Sequence, residues 1–333
     1  MAFIDGMICA EMTNWIGKLL LALYNAIGDF GWTVVVFAVV LRVILSPLDI
    51  WQKISSRKQA KKMERIRPQL EKLQRQYAND PQMLRQKQSE LQKKEKIHMF
   101  TSCIPMIITL VLFFFIWDGF RALVSYENEV IVEKLLAIYN ENVGKVDAAT
   151  LDQMLVDGYD LHSFLWVKNI FMSDIGTNVI PSLEQYLSTI NATMPDVTVK
   201  YETLVGPAME AYNKTGTWDF ARWNGYFVLP VLSIATSFLT TKMLQSANQM
   251  PAPTGTAEQQ KSQQATMKVM NYVMPLMLGV FAIMYSAAFA LYYFISNVMI
   301  ALINIMFTLI YKQIEKKNAA SGSAIVVSGG KKR

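Results

Sequence analysis

One arginine inside an apolar run is the sharpest chemical feature of this sequence. Residues 31–48 read GWTVVVFAVVLRVILSPL, and Arg42 is the only charge among them. An ionised side chain inside a membrane span costs ~2.5–3.5 kcal/mol on insertion scales, so it normally faces water or a partner. Arg42 precedes Leu48 by six residues, roughly 9 Å of helix. Snorkelling to the headgroups therefore competes with placement in a wet cavity.

Polar residues recur in later apolar runs. Ser233, Ser237 and Thr240 fall at i, i+4 and i+7, with Thr236 and Thr241 beside them. Ser296, Asn297 and Asn304 lie near one helical face, with Tyr292 and Tyr293 a turn earlier. Asn271 opens another run. Small polar residues are common glue between spans, so packing explains the Ser/Thr stripe by itself. Several polar faces together with a buried cation favour a hydrated cavity. Pro105, Pro230 and Pro275 read as tolerated kinks. Met residues cluster in the last runs; they suit a surface receiving varied apolar helices, though ordinary packing is the commoner reason.

Other chemistries find no support. Cys9 and Cys103 are far apart, and His98 and His162 flank a predicted span, so neither a disulfide framework nor a metal site is expected. There is no P-loop, GxGxxG, HExxH or GxSxG, and no carboxylate pair inside a span. The expectation is a protein without enzyme activity, cofactor or metal.

The elements that must position these residues are predicted to be membrane helices. The chain is 52% hydrophobic and 17% charged, against roughly 25% charged in soluble domains. Its net charge is +6, and apolar runs alternate with charge-dense stretches. We expect an all-α polytopic fold with five core spans at 31–50, 101–123, 226–244, 266–285 and 287–311. Residues 1–30 should form an extracytoplasmic N-terminus with an amphipathic interfacial helix at Trp15–Ala26, unless that helix extends the first span. Met1–Asn14 has no basic n-region and reads as no ordinary secretory signal.

Residues 51–99 are dense in Lys and Arg, which places them in the cytoplasm by the positive-inside rule. The 124–225 segment is acidic and should lie outside, whereas the 245–265 linker and the basic 312–333 tail should lie inside. That gives N-terminus out and C-terminus in. Within 51–99, Met63, Ile66, Leu70, Leu73 and Tyr77 follow a 3-4-3-4 seam, and Asn79-Asp80-Pro81 signals a turn. A short antiparallel helical hairpin follows, its first arm broken or kinked at Pro68. The linker and tail, rich in small and polar residues, read as mobile.

The stretch from Gly31 to Lys94 resembles the YidC family of insertases. An arginine-bearing span is followed by a Pro exit at Pro47, a basic hairpin with Pro68 in its arm, and a turn at Asp80-Pro81. CIPMIITLVLFFFIW, Phe164–Trp166, LPVLSIATSFLTTKML and the run from Met270 to Asn304 resemble the family's later segments in order. The resemblance implies the short, Gram-positive-like form without a large extracytoplasmic N-terminal domain. It departs at Ser286-Ala287-Ala288, where the family has Pro-Ala-Gly, at Asn304, where Gln is common, and in the long 174–223 segment.

The resemblance implies a hydrophilic groove open to cytoplasm and lipid and closed outside. Arg42 would lie in it, with Ser233, Thr236, Ser237, Thr240, Asn271, Tyr293, Asn297 and Asn304 as its lining. Acidic residues of an incoming segment would be drawn to Arg42. Nascent membrane proteins are the implied substrates. The ribosome and anionic lipids are implied partners of the tail and of the hairpin, with Lys58, Lys61, Lys62, Arg65, Arg67, Pro68, Asp80 and Pro81 as its recruitment residues. A Sec translocon is left open as a partner, and DNA is not expected. The alternatives are a channel or transporter subunit, in which Arg42 would select an anion, and a non-catalytic assembly scaffold.

Overall fold

A computed structural model of the chain describes residues 15–95, 104–175, 179–189, 197–213, 223–248, 261, 265 and 268–320. The described residues are helical, with one isolated β-bridge between Phe164 and Val167. The expected linker falls mostly outside them, as do Met1–Asn14 and the tail beyond Ala320. Two helices, Phe30–Gln76 and Ala287–Ala320, contain stretches long and apolar enough to cross a bilayer. Trp15–Ile27, Val228–Met243 and Pro275–Met284 are shorter apolar stretches. Chain contacts divide the protein into two compact units, residues 1–41, 99–237 and 272–296, and residues 42–98, 238–271 and 297–333.

In the first unit, α1 (Trp15–Ile27) is distinct from α2 (Phe30–Gln76). Gly28 sits at φ +79°, the left-handed conformation that ends a helix, and its N–H reaches Tyr24 O at 2.7 Å. Asp29 then caps α2 by accepting from Trp32 N at 2.8 Å. α1 therefore does not continue into α2. Its Ile16 and Leu20 are buried, and Ile16 touches α4 (Ile104–Asn142) at Gly119, where a Cβ would collide with the isoleucine. Phe37, Phe120, Phe289 and Tyr292 form an aromatic core at ring separations of 5.7 to 6.4 Å.

α4 runs well past the apolar segment, and its distal half builds a second core. Ile131, Val132 and Leu135 are buried against Leu155 of α5 (Ala148–Gly158) and the adjoining Tyr159. Tyr186 of α6 (Leu183–Thr189) joins them. Beyond it α7 (Val197–Lys200) and a π-helical turn (Tyr201–Val205) lead into α8 (Gly206–Asn213), adding Tyr201, Leu204, Val205 and Ala208. The described part of the acidic segment thus contains a packed helical core, which its charge had not announced.

The loop at 164–175 fastens two helix starts. Asp174 is fully buried and accepts from Tyr226 N at 2.9 Å and Leu229 N at 2.6 Å, at the start of α9 (Val228–Asn248). Trp166 Nε1 donates to the same carboxylate at 3.4 Å. Burial pushes the Asp174 carboxyl up from its ordinary value, and these donors oppose that shift. The carbonyls of Ile170 and Met172 accept from Ala288 N and Ala287 N, the first amides of α11 (Ala287–Ala320). Asn224 ties the loop down through bonds to Asn169 and Ser173. Gly225 is glycine because a Cβ there would meet the Asp174 carboxylate.

In the second unit, α2 continues as one helix through Pro47 and Pro68. Both prolines are exposed, and Pro68 does not break the arm. Ile66 and Leu70 are buried, with Met63 and Leu91 packed against them, so α3 (Pro81–Lys94) lies on the end of α2. Asp80 caps α3 by accepting from Gln82 N and Met83 N at 3.1 and 3.0 Å, with Pro81 at the first position. Asp80→Ala is expected to cost about 1 kcal/mol. Faster amide exchange over Gln82–Leu84 would report it, and unchanged exchange would count against the cap.

Candidate functional site

Charged and amide groups of the second unit gather on two helices. α2 carries Arg42, Asp49 and Lys53 along one face. Arg42 and Asp49 are half-buried, and Lys53 is 7% exposed. α11 carries Asn297 and Asn304, both buried. Cation–ring contacts fix how these helices pair. Lys53 Nζ lies 5.7 Å from the centre of the Phe307 ring, and the Arg57 guanidinium lies 5.1 Å from Phe307 and 4.2 Å from Tyr311. Lys61 follows at 5.9 Å from Tyr311. The contacts advance in the same direction on both helices, so the two run parallel. Those contacts pair residues 250 to 254 positions apart, which sets Asn304 one to five residues past the level of Asp49 and Asn297 one to five residues past that of Arg42.

Most of these groups lack hydrogen-bond partners. Arg42 Nε, Asp49 Oδ2, Lys53 Nζ, Asn297 Nδ2 and Asn304 Nδ2 are all buried without one. A buried polar group left dry costs about 1–3 kcal/mol. Five together mark a place that needs water or a polar ligand. Asp49 lies within electrostatic reach of both Arg42 and Lys53.

The Ser/Thr stripe does something different. In the first unit, Ser233 Oγ donates to Ala290 O at 3.0 Å, and the Ser237 and Tyr293 hydroxyls are 2.9 Å apart. In the second, Thr240 Oγ1 donates to Asn297 O at 3.3 Å. Ser233, Ser237 and Thr240 are therefore stitches in a seam between α9 and α11, the packing role that the spacing also allowed. Thr236 turns its hydroxyl back to Leu232 O of its own helix at 2.7 Å. Asn271 lies on a π-helical turn, Val269–Val273, just before α10 (Met274–Met284), and its side chain falls outside the described residues.

Of the basic residues on the hairpin, Lys58, Lys61, Lys62, Arg65 and Arg67 are exposed. Arg67 Nε meets Glu71 at 3.2 Å across one turn, an exposed pair of small energetic weight. Asp49, Lys53 and Arg57 were not singled out from sequence. Their signal was periodicity: seven, eleven and fifteen residues after Arg42 return to its face.

The sequence profile of the family described as 60Kd inner membrane protein matches residues 22–317. The chain belongs to that family. Among curated relatives, one from Caldanaerobacter subterraneus subsp. tengcongensis is 32% identical over 117 residues, 35% of this chain and 53% of the relative. One from Leptospira interrogans is 31% identical over 122 residues, 36% of this chain and 19% of the relative. One from Clostridium tetani is 27% identical over 160 residues, 48% of this chain and 56% of the relative. Each of these relatives is named membrane protein insertase YidC. The match spans about half the length of the first and third, and a fifth of the second. As a family member, the chain is a membrane protein, and the apolar stretches of α2 and α11 are in keeping with that.

Proposed function

We propose that this chain is a membrane protein insertase. It takes a hydrophilic segment of a newly made membrane protein into a polar groove around Arg42 and releases the adjoining apolar helix sideways into lipid. The observation that carries this reading is the buried, unpartnered Arg42 Nε, on a face shared with Asp49 and Lys53 and about a turn from the unpaired amide of Asn297. A hydrated groove satisfies these groups and shortens the dry distance a polar segment must cross. Acidic residues of the segment are attracted to Arg42, and lipid burial then favours exit of the apolar helix. The scheme needs no nucleotide.

In this reading the five spans are 31–50, 101–123, 226–244, 266–285 and 287–311, with the N-terminus out and the C-terminus in, as the loop charges favour. The exposed cations of the hairpin and the basic tail would recruit the ribosome, nascent chains and anionic lipid, with a Sec translocon as a further partner.

The test is depletion of the protein in its own host. The readout is protease protection of a newly made small membrane protein with an acidic external tail. Loss of protection on depletion, restored by the wild-type chain, is the expected result. Full protection after depletion would overturn the reading.

A further inference from the structure

Three charges of alternating sign share the proposed site. Arg42, Asp49 and Lys53 lie at i, i+7 and i+11 of α2, within about 40° of one another around the helix at 3.6 residues per turn. Asp49 feels both cations, yet its Oδ2 accepts no hydrogen bond, and Arg42 Nε and Lys53 Nζ donate none. Lys53 is buried against the Phe307 ring rather than against an acceptor. The carboxylate is thus held in the field of the two cations without being committed to either by a direct bond.

We propose that Asp49 is an internal competitor that limits this site to segments bringing one negative charge at a time. The inference rests on the insertase reading. Arg57, the next cation on this face, is stacked on Tyr311 and is not among the charges that act on Asp49; the two cations that do, with the carboxylate, leave a net charge of about +1, which one incoming acid neutralises. A second acid then enters a site with no charge left to attract it, and meets Asp49 as a like charge. Without Asp49 the site offers two free cations. They are eleven residues apart, roughly 16 Å of helix. An extended segment rises ~3.3 Å per residue, so two acids about five residues apart would meet both.

The experiment uses the full chain reconstituted in liposomes. Two single-span reporters differ only in their translocated tail, which carries one aspartate or two aspartates five residues apart. The quantity read is the insertion ratio of the doubly to the singly acidic reporter. Asp49→Asn is expected to raise that ratio about fivefold, the effect of one partly screened ion pair. Asp49→Glu should hold it at the wild-type value. Adding Lys53→Gln to Asp49→Asn should bring it back down, because the second acid loses its cation. An Asp49→Asn ratio equal to wild type overturns the competitor role and leaves the insertase reading standing. Loss of all insertion in Asp49→Asn, with Asp49→Glu active, also overturns it by making the carboxylate structural. A wild-type chain that inserts neither reporter overturns the insertase reading, and this inference falls with it.

Discussion

Arg42→Ala is expected to lower insertion of an acidic-tailed reporter by about ten- to a hundredfold, and Arg42→Lys to restore most of it. A hydrogen bond to a charged group is worth about 1.5–3 kcal/mol, and each 1.4 kcal/mol is tenfold in an equilibrium. The alanine variant loses more than one donor. It also leaves Asp49 with Lys53 as its remaining nearby countercharge, so the net charge of the proposed groove falls from about +1 to zero. Lysine keeps the charge and loses the planar fork, which matters most where bidentate recognition is needed. A segment sliding through a wet groove needs attraction more than a fixed geometry, so charge should dominate. The measurement is complementation of the depleted host, scored by protease protection. Full insertion by both variants would show Arg42 to be dispensable and would remove the groove mechanism, while the family assignment stands on its own.

Some of this was legible in the sequence and some was not, for physical reasons. Arg42 stood out because a charge inside an apolar run is costly and therefore rare. The start of α3 was legible because Asp80-Pro81 is itself a capping signal, and the Asp80 carboxylate makes the cap. The break between α10 and α11 at Tyr285-Ser286 was visible as the one weak interruption in a long apolar stretch. Asp49 and Lys53 were passed over because they follow the apolar run and merge into the basic segment. Only the continuity of α2 through Pro47 returns them to the Arg42 face.

The helical layer built on the distal half of α4 was hidden for another reason. Core residues such as Leu155, Tyr186 and Val205 come from helices too short to show a period. Acidic residues outnumber basic ones in the 124–225 segment, which reads as a polar loop, while the buried tyrosines are spread through it. The loop that caps α9 and α11 works between residues about fifty positions apart, as in the bonds from Asn169 N to Asn224 and from Leu229 N to Asp174. Local patterns carry no record of such pairs.

That loop leads to the largest stability effect expected in the protein. Asp174→Ala should destabilise the fold by about 2–5 kcal/mol. The effect combines one buried backbone donor left unpaired, at about 1–3 kcal/mol, with one part-buried backbone donor and one indole donor that each lose a bond worth about 0.5–1 kcal/mol. Leu229 N is the buried backbone donor and Tyr226 N the part-buried one, and both lie at the start of α9. Trp166 Nε1 loses its acceptor as well. Asp174→Asn should cost less, because its single carbonyl oxygen can serve one donor while its amide faces the other. The order wild type, Asn, Ala is thus expected in thermal unfolding of the detergent-solubilised protein. Protease nicking near Trp223–Phe227 should rise in the same order, since the loop and the start of α9 are released together. If Ala and Asn unfolded at the wild-type temperature, Asp174 would not be holding that helix start, and its burial beneath Gly225 would have no structural consequence.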